Sequence, residues 1–423
     1  MSPASLYHRV RNAFRRPAVP PGTSTATGPT SAPEPRQHAA PEQGLTAIPT
    51  DTIAKLIACP ACGHEERTSV CRFNRFALGE WQPDTEAGIY KYSLCHGCGA
   101  VYATRRPEGP RYRWLFEHFD DTLGRVDRVG KLAITPSKLT PDMRDLLRTR
   151  LSHGVYVSDH QGLKSNEYLG ALMRDRLASS PFVEMIGSLI PVQKARVLEI
   201  RSKLGSMADA LRRLFAADVR VMTLFENQQF IIQEAYGIPA VCGIDYDRFT
   251  IPFEGEFDLI IANHMLTHSL RPREFLAEVR KHLAPGGYLY LHTEMDEAEY
   301  LVNGKSMFHF NPFHMQAFNR DSLMRVLAAN GFTTTFATIY RESHVCVARK
   351  APELTEDWPR MPERERKRRR SAYRQANDRA ILTMPEHARW QVKDWDAVLQ
   401  RGIEEGHAEL TKRGVVKLRG TRK

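Results

Sequence analysis

No stretch of this 423-residue chain approaches the roughly 20 consecutive apolar residues that a membrane-spanning helix needs. The N-terminus also lacks the apolar core of a secretory leader. Together these absences predict an intracellular, cytoplasmic protein. Large apolar residues are nearly missing from Arg16 to Glu42, where Pro, Ala, Thr, Ser, Gly and Gln dominate. Such a segment cannot offset its ordering entropy, so residues 1–50 are expected to form a disordered tail. Ahead of it, Leu6, Tyr7, Val10 and Phe14 share one helical face beside Arg9, Arg11, Arg15 and Arg16. Four apolar anchors allow only weak membrane-surface contact. A disordered basic tail is the simpler expectation.

What is present suffices for a sizeable core: 42% of the residues are hydrophobic, and the length suggests about two or three domains. Lys and Arg number 60 against 49 Asp and Glu, a formal net charge of +11. That balance permits a polyanionic partner but speaks to association rather than to fold.

Seven cysteines include two Cys-x-x-Cys pairs, Cys59 with Cys62 and Cys95 with Cys98, each followed at once by Gly. The two-residue spacing lets both thiolates of a knuckle point at one ion while the glycine takes the positive φ of the turn. Two knuckles complete a tetrahedral structural Zn2+ site, and a small module gains much of its folding free energy from such a metal. Disulfides are disfavoured in a reducing cytoplasm, and a redox dithiol would need one pair. A zinc ribbon is therefore expected over 55–105, with Ile89 to Leu94 as its returning strand. Cys71, Cys242 and Cys346 are left as inert thiols.

Residues 106–190 are charged and helical in pattern, with helices expected at Trp114 to Phe119, Asp142 to Leu151 and Asn166 to Leu177. This region is expected to form a substrate or cap region, in which Tyr156, His160 and Tyr168 are candidates to line a pocket.

The stretch RVLEIRSKLGSMADALRRLF, Arg196 to Phe215, is the one around which the chain is organised. Arg196 to Ile200 reads as a buried strand. After Gly205, Met207, Leu211, Leu214 and Phe215 share a helical face. A strand feeding a helix through a glycine-bearing turn is the first unit of a doubly wound α/β domain, in which ligands sit beyond the carboxyl ends of the strands. Further strands are expected at Val219 to Phe225, Ile238 to Cys242, Phe257 to Asn263 and Tyr288 to His292, with a closing hairpin of Thr333 to Tyr340 and His344 to Arg349. Helices are expected at Gln228 to Tyr236, at Pro272 to Leu283 with APGG as its stop, and at Asn319 to Gly331. The fold class is thus Rossmann-like, a mostly parallel seven-stranded sheet over 191–350. Glu226, beyond the second strand, is placed to accept hydrogen bonds from both ribose hydroxyls of an adenosine-containing cofactor, and Asp245 to meet an adenine amino group.

VLEI, FEN, FDLIIANHMLTH, LAPGGYLYLHTE and AFNRDSLMRVLAANGF resemble the motifs of a class I S-adenosylmethionine-dependent methyltransferase. With the cysteine module in front, the chain is similar to the zinc-ribbon-bearing group that includes sugar C-methyltransferases. The resemblance implies S-adenosylmethionine as cofactor, held by Glu199, Ser202, Gly205, Glu226, Asp245 and Asn263. It implies His268 and His314 as catalytic histidines, with Glu294 a further contact for the acceptor, a small molecule that is anionic or sugar-like. A neutral imidazole suits a general base near neutral pH. His264 and His309 are expected to be structural. The family's first loop begins with glycine; here that position is Arg201, and the acidic position before the second glycine is Leu204. Arg201 either pairs with the cofactor's carboxylate or fills its place, and in the second case the domain is a non-catalytic scaffold. The carboxylate common before the second histidine is replaced by Phe313.

From 351 to 423 the chain is expected to form a basic helical extension. Arg364, Arg366, Lys367, Arg368, Arg369 and Arg370 are expected on a solvated helix face, and Trp390, Trp395 and Leu399 on a second helix suited to packing on a partner subunit. Oligomerisation is left open. No RNA- or DNA-reading motif accompanies the basic run, so nucleic acid is not the expected partner.

Overall fold

The computed structural model describes residues 53–74, 89–107, 112, 167–224, 226–294, 314–340, 343–354, 356–382, 400, 403–404, 408–410 and 416–418. The expected N-terminal tail and its helix, the helices at Trp114 to Phe119 and Asp142 to Leu151, Tyr156, His160, His309 and the second tail helix lie outside them. Among the described residues no helix is long and apolar enough to cross a membrane.

Four antiparallel strands come first: β1 (Ile53–Lys55), β2 (Arg67–Asn74), β3 (Ile89–Cys95) and β4 (Val101–Pro107), in the order β1-β4-β3-β2. Helix α1 (Glu167–Leu189) comes next, twelve residues longer at its C-terminal end than expected despite Pro181 within it. The α/β unit then runs β5 (Arg196–Ile200), α2 (Ser206–Phe215), β6 (Asp218–Thr223), α3 (Glu226–Tyr236), β7 (Ala240–Cys242), β8 (Phe257–Asn263), α4 (Met265–His268), α5 (Pro272–His282), β9 (Leu283–Glu294), β10 (Gln316–Ala317), α6 (Arg320–Ala329), β11 (Phe332–Tyr340) and β12 (Ser343–Lys350). Helix α7 (Glu363–Leu382) and the pair β13 (Ala408–Leu410) and β14 (Val416–Leu418) end the description.

Seven strands form the central sheet in the order β11-β12-β9-β8-β5-β6-β7. All neighbours from β9 to β7 are parallel, and β12 alone runs against both its partners. This is the expected Rossmann-like architecture. The strand order reverses between β5 and β8, which makes the gap between their carboxyl ends the crevice of the sheet. VLEI and FDLIIAN are near-continuous apolar runs because helices cover both faces of these strands. On one face Val197, Leu259 and Ile261 meet Val183 and Ile186 of α1 and Leu211 of α2. On the other, Leu198, Ile260 and Leu291 meet Phe275 of α5 and Leu327 of α6, and this core continues without a break into Ala61, Leu94 and Tyr102 of the first sheet.

The joint between the sheets is also a backbone one. β10, from the α/β unit, pairs antiparallel with β4, Gln316 opposite Tyr102 and Ala317 opposite Val101. A capping box then starts α6: Ser322 N–H donates to the Asn319 side chain at 2.8 Å, and Asn319 N–H to Ser322 Oγ at 2.9 Å.

Several boundaries differ from expectation. The APGG segment follows the helix as strand rather than as a loop: α5 ends at His282, one residue early, and Gly286, at φ 71°, sits inside β9, where pairing with β8 shifts register. A bulge takes up the two glycines and the strand carries on. The second strand stops at Thr223, so Glu226 opens a helix rather than ending a strand. The third strand begins at Ala240, since Pro239 withholds a donor. The basic tail is not simply solvated: Arg369 is only 5% exposed.

Candidate functional site

The turn after β5 is where sequence and backbone disagree most. Arg201 has φ 61° and His264, the residue after β8, φ 53°. Both lie in the left-handed region, which costs a residue with a β-carbon about 1–2 kcal/mol. The two are joined: Arg201 Nη1 donates to the His264 carbonyl at 3.1 Å. The guanidinium therefore crosses the crevice from the end of β5 to the end of β8. The second glycine of the turn, Gly205, has φ 80°, and a β-carbon there would stand 2.8 Å from Ile232 of α3. Only glycine fits this place.

Glu199 lies under the same turn, with Ala208 N–H donating to Oε2 at 3.1 Å and Asn263 Nδ2 to Oε1 at 3.3 Å. Burial, then the nearby Asp175 carboxylate, pushes its acid up to about 8, against opposing hydrogen bonds from Ser202 and Ala208. Asp175 of α1 is itself raised, chiefly by burial, while bonded to Ser206. Ser202 accepts from Gly205 N–H at 3.1 Å, and its own N–H reaches Met222 O at the end of β6. The Oδ1 of Asn263 is a buried acceptor with no hydrogen-bond partner among the described residues. A buried orphan acceptor is costly on its own and suits a ligand that brings a donor. Glu199, Ser202, Gly205 and Asn263 are thus brought together, with Asn263 Oδ1 the acceptor left open among them.

The adenine end is less complete. Asp245 Oδ1 already accepts from Asp247 and Arg248 N–H, closing its own turn. The side chains of Glu226 and Glu294 lie outside the described part of the structure.

His268 and His314 meet. Their rings stand 4.9 Å apart, edge to face, and both are buried at 2% and 7% exposure. The first sheet holds them there. Met315 N–H donates to Thr267 O at 2.8 Å, Gln316 Nε2 to Leu266 O at 2.5 Å and Ser269 O at 2.6 Å, and Ala103 N–H to Met315 O at 2.8 Å. Tyr112 Oη donates to His268 O at 2.7 Å and Tyr92 Oη to His314 O at 3.3 Å. On the opposite face of the sheet a row of half-buried rings runs along the carboxyl edge: His264 to His292 at 4.3 Å, His292 to Phe182 at 4.4 Å, Phe182 to Tyr340 at 5.4 Å.

Cys59, Cys62, Cys95 and Cys98 converge, their sulfurs all within 4.8 Å of one another. Gly63 and Gly99 take φ 79° and 81°, as the knuckles require. Burial pushes the Cys59 and Cys98 thiols up. Ionising all four in so small a space needs a cation, and four thiolates are a donor set compatible with structural zinc. Helix α7 packs against this module: Arg369 donates to Gly99 O, Met361 N–H to Gly97 O at 2.7 Å, and Arg366 Nη1 lies 3.0 Å from His96 Nδ1. Glu365 takes both arms of Arg325 of α6, at 3.0 and 2.5 Å.

Sequence reasoning missed Asp175, Tyr92, Tyr112 and Gln316. Asp175 had a signal: it lies seven and eleven residues before Phe182 and Ile186, on the face of α1 turned to the sheet. The other three act through contacts across the chain that no local pattern announces.

Residues 171–335 match a family model described as a methyltransferase domain. No curated protein matches the chain. Among solved structures, the chain is similar to one from the complex between the Haloferax volcanii Trm112 methyltransferase activator and a methyltransferase, at 12% identity and TM-score 0.36, covering 46% of this chain and 98% of that one. It is similar to an S-adenosylmethionine-dependent methyltransferase from Mesorhizobium loti at 15% identity and TM-score 0.33, covering 41% and 97%. The glycopeptide N-methyltransferase MtfA is 19% identical with TM-score 0.32, covering 42% and 90%.

Proposed function

We propose that the methyltransferase domain carried by this chain, an enzyme domain with S-adenosylmethionine as its methyl donor, methylates a small anionic or sugar-like acceptor. When bound, the cofactor supplies an electrophilic methyl group on a sulfonium. The chain's own part is to hold that group, exclude water and accept a proton. Glu199, Ser202, Gly205 and Asn263 are the proposed cofactor contacts, with Glu226 and Asp245 toward the nucleoside.

The reading rests on one observation: two buried imidazoles 4.9 Å apart just beyond β8. A neutral imidazole works near its own pKa, so His268 or His314 is suited to take the proton from an acceptor hydroxyl or activated carbon. The row of rings from His264 to Tyr340 supports an acceptor with a flat apolar face, such as a sugar ring. A cavity of about 440 Å3 is lined by Arg320, His344 and Arg368 together with Asp321 and Asn319, a polar lining that accords with a hydroxyl-bearing acceptor. The four cysteines are proposed to hold zinc as a ribbon, and a cytoplasmic setting is proposed with it. The alternative of a non-catalytic scaffold is favoured by a single feature, the Arg201 side chain across the crevice.

The test is transfer of a labelled methyl group from S-adenosylmethionine to a panel of nucleotide sugars and neutral sugars. His268→Asn and His314→Asn are each expected to lower the rate about 100- to 10,000-fold with S-adenosylhomocysteine binding retained. Unchanged rates in both variants would remove the histidines from the mechanism. Cofactor binding without transfer to any acceptor would favour the scaffold.

A further inference from the structure

Four carbonyls in a row, from Leu266 to Ser269, are bonded from outside their own turn. Met315 N–H donates to Thr267 O at 2.8 Å and Tyr112 Oη to His268 O at 2.7 Å. The first and the last of the four go to one side chain: Gln316 Nε2 donates to Leu266 O at 2.5 Å and to Ser269 O at 2.6 Å. An amide nitrogen carries two protons, so this one is fully used. Its other end is not. Gln316 is 1% exposed, and its Oε1 has no hydrogen-bond partner among the described residues. Turning the amide end for end would set that oxygen against two carbonyls, so its orientation is fixed. A core keeps an orphan acceptor where the rest of the group is needed.

The need lies in α4. Its four residues make one turn, too short a helix to hold itself, and that turn ends on His268. His314 stands two residues before Gln316, on the chain that enters β10, and β10 is paired with β4. The Gln316 amide is therefore a strut between the segment that bears one imidazole and the segment that bears the other. We propose that Gln316 is a positioning residue, which fixes the His268 ring against the His314 ring by holding both ends of the α4 turn. This rests on the reading of the two histidines as proton acceptors. Gln316 acts through them and not on the acceptor or the cofactor. A misplacement of about 1 Å at such a site costs about 100-fold in rate, which sets the size of the expected effect.

Gln316→Met keeps the length and volume of the side chain and removes both donors. In the full chain it is expected to lower kcat for methyl transfer about 10- to 100-fold, with the acceptor KM and S-adenosylhomocysteine binding each within about threefold. Gln316→Glu supplies a second readout. Protonated, its carboxyl keeps one donor for the turn; ionised, it sets a carboxylate against two carbonyls. Its rate is expected to fall with rising pH, where the wild-type rate climbs as the imidazoles lose their protons. A role in folding alone would shift urea unfolding but leave kcat of the folded enzyme and its pH profile as in the wild type, and that result overturns the proposal. A third readout needs no acceptor. With the histidines isotopically labelled and the two rings identified through His268→Asn and His314→Asn, the wild-type protein is expected to show a nuclear Overhauser cross-peak between them that Gln316→Met loses. A cross-peak retained in Gln316→Met also overturns the proposal. Should Gln316→Met not fold, Gln316→Glu compared below and above its titration carries the same readouts. If the cross-peak is lost while both histidine variants transfer methyl at the wild-type rate, the catalytic reading falls and the placement of the rings by Gln316 stands.

Discussion

The two faces of the central sheet hold their functional groups in different ways. On the α1 and α2 face, Glu199, Ser202, Gly205 and Asn263 sit at strand ends and in the turn after β5, held by bonds that stay among the neighbouring parallel strands β5, β6 and β8 and the start of α2. On the other face, His268 and His314 are held by a second sheet, reached through β10, Tyr92 and Tyr112. The first arrangement is built within the central sheet itself and does not call on the first sheet. The second depends on a module whose own core is small and whose cohesion is expected to come from a metal.

The largest effect should come from separating the faces. Removing the metal by chelation, or Cys95→Ser, is expected to lower methyl transfer by about 100-fold or more, since β10, just after His314, loses its partner strand β4. Binding of S-adenosylhomocysteine should stay within about threefold. Metal content by mass spectrometry and calorimetry on the same samples check this, and parallel loss of cofactor binding would break the comparison.

A smaller effect tests the clamp. Arg325 and Glu365 are each only 12% exposed. Glu365→Ala leaves a largely buried guanidinium unpaired, for an expected loss of about 3–5 kcal/mol in urea unfolding. A loss below about 1 kcal/mol would mean that α7 only rests on the first sheet.

The most gradual effect, about 1.4 kcal/mol per pH unit, concerns pH and belongs to the carboxylate face. The Glu199 acid is raised from 4.5 to about 8, so the folded chain keeps a proton that the unfolded chain has released. Its stabilising contribution is complete below about 4.5 and is lost as pH rises through about 8, on the order of 5 kcal/mol in all, shared with Asp175. Glu199→Gln should flatten this decline in denaturant titrations between those values. An unchanged slope would place the titration elsewhere.

These differences also explain what the sequence showed. VLEI and FDLIIAN were legible because strands covered on both faces leave continuous apolar runs, and the cysteine pairs because metal geometry fixes their spacing. Gly205 was legible because its turn admits no other residue. β10 was not, because two residues paired across more than 200 positions of chain leave no local period. The arginine run was misread for a related reason. Helical spacing turns Arg366 and Arg369 toward the knuckles while Arg364, Lys367 and Arg368 face water, and a run of like charges does not reveal which members find carbonyls. Arg201 was recognised as a departure, but its reach to His264 depends on the crevice being narrow, which is a property of the assembled sheet.

The short strand β10 ties together the ancestry of the two halves as well as their shapes. An exchange that replaced the cysteine-bearing front with another protein's would leave Gln316 and Ala317 facing an edge they no longer match in register. Exchanges that keep both borders of that seam preserve its backbone hydrogen bonds, and those that replace one border must rebuild them.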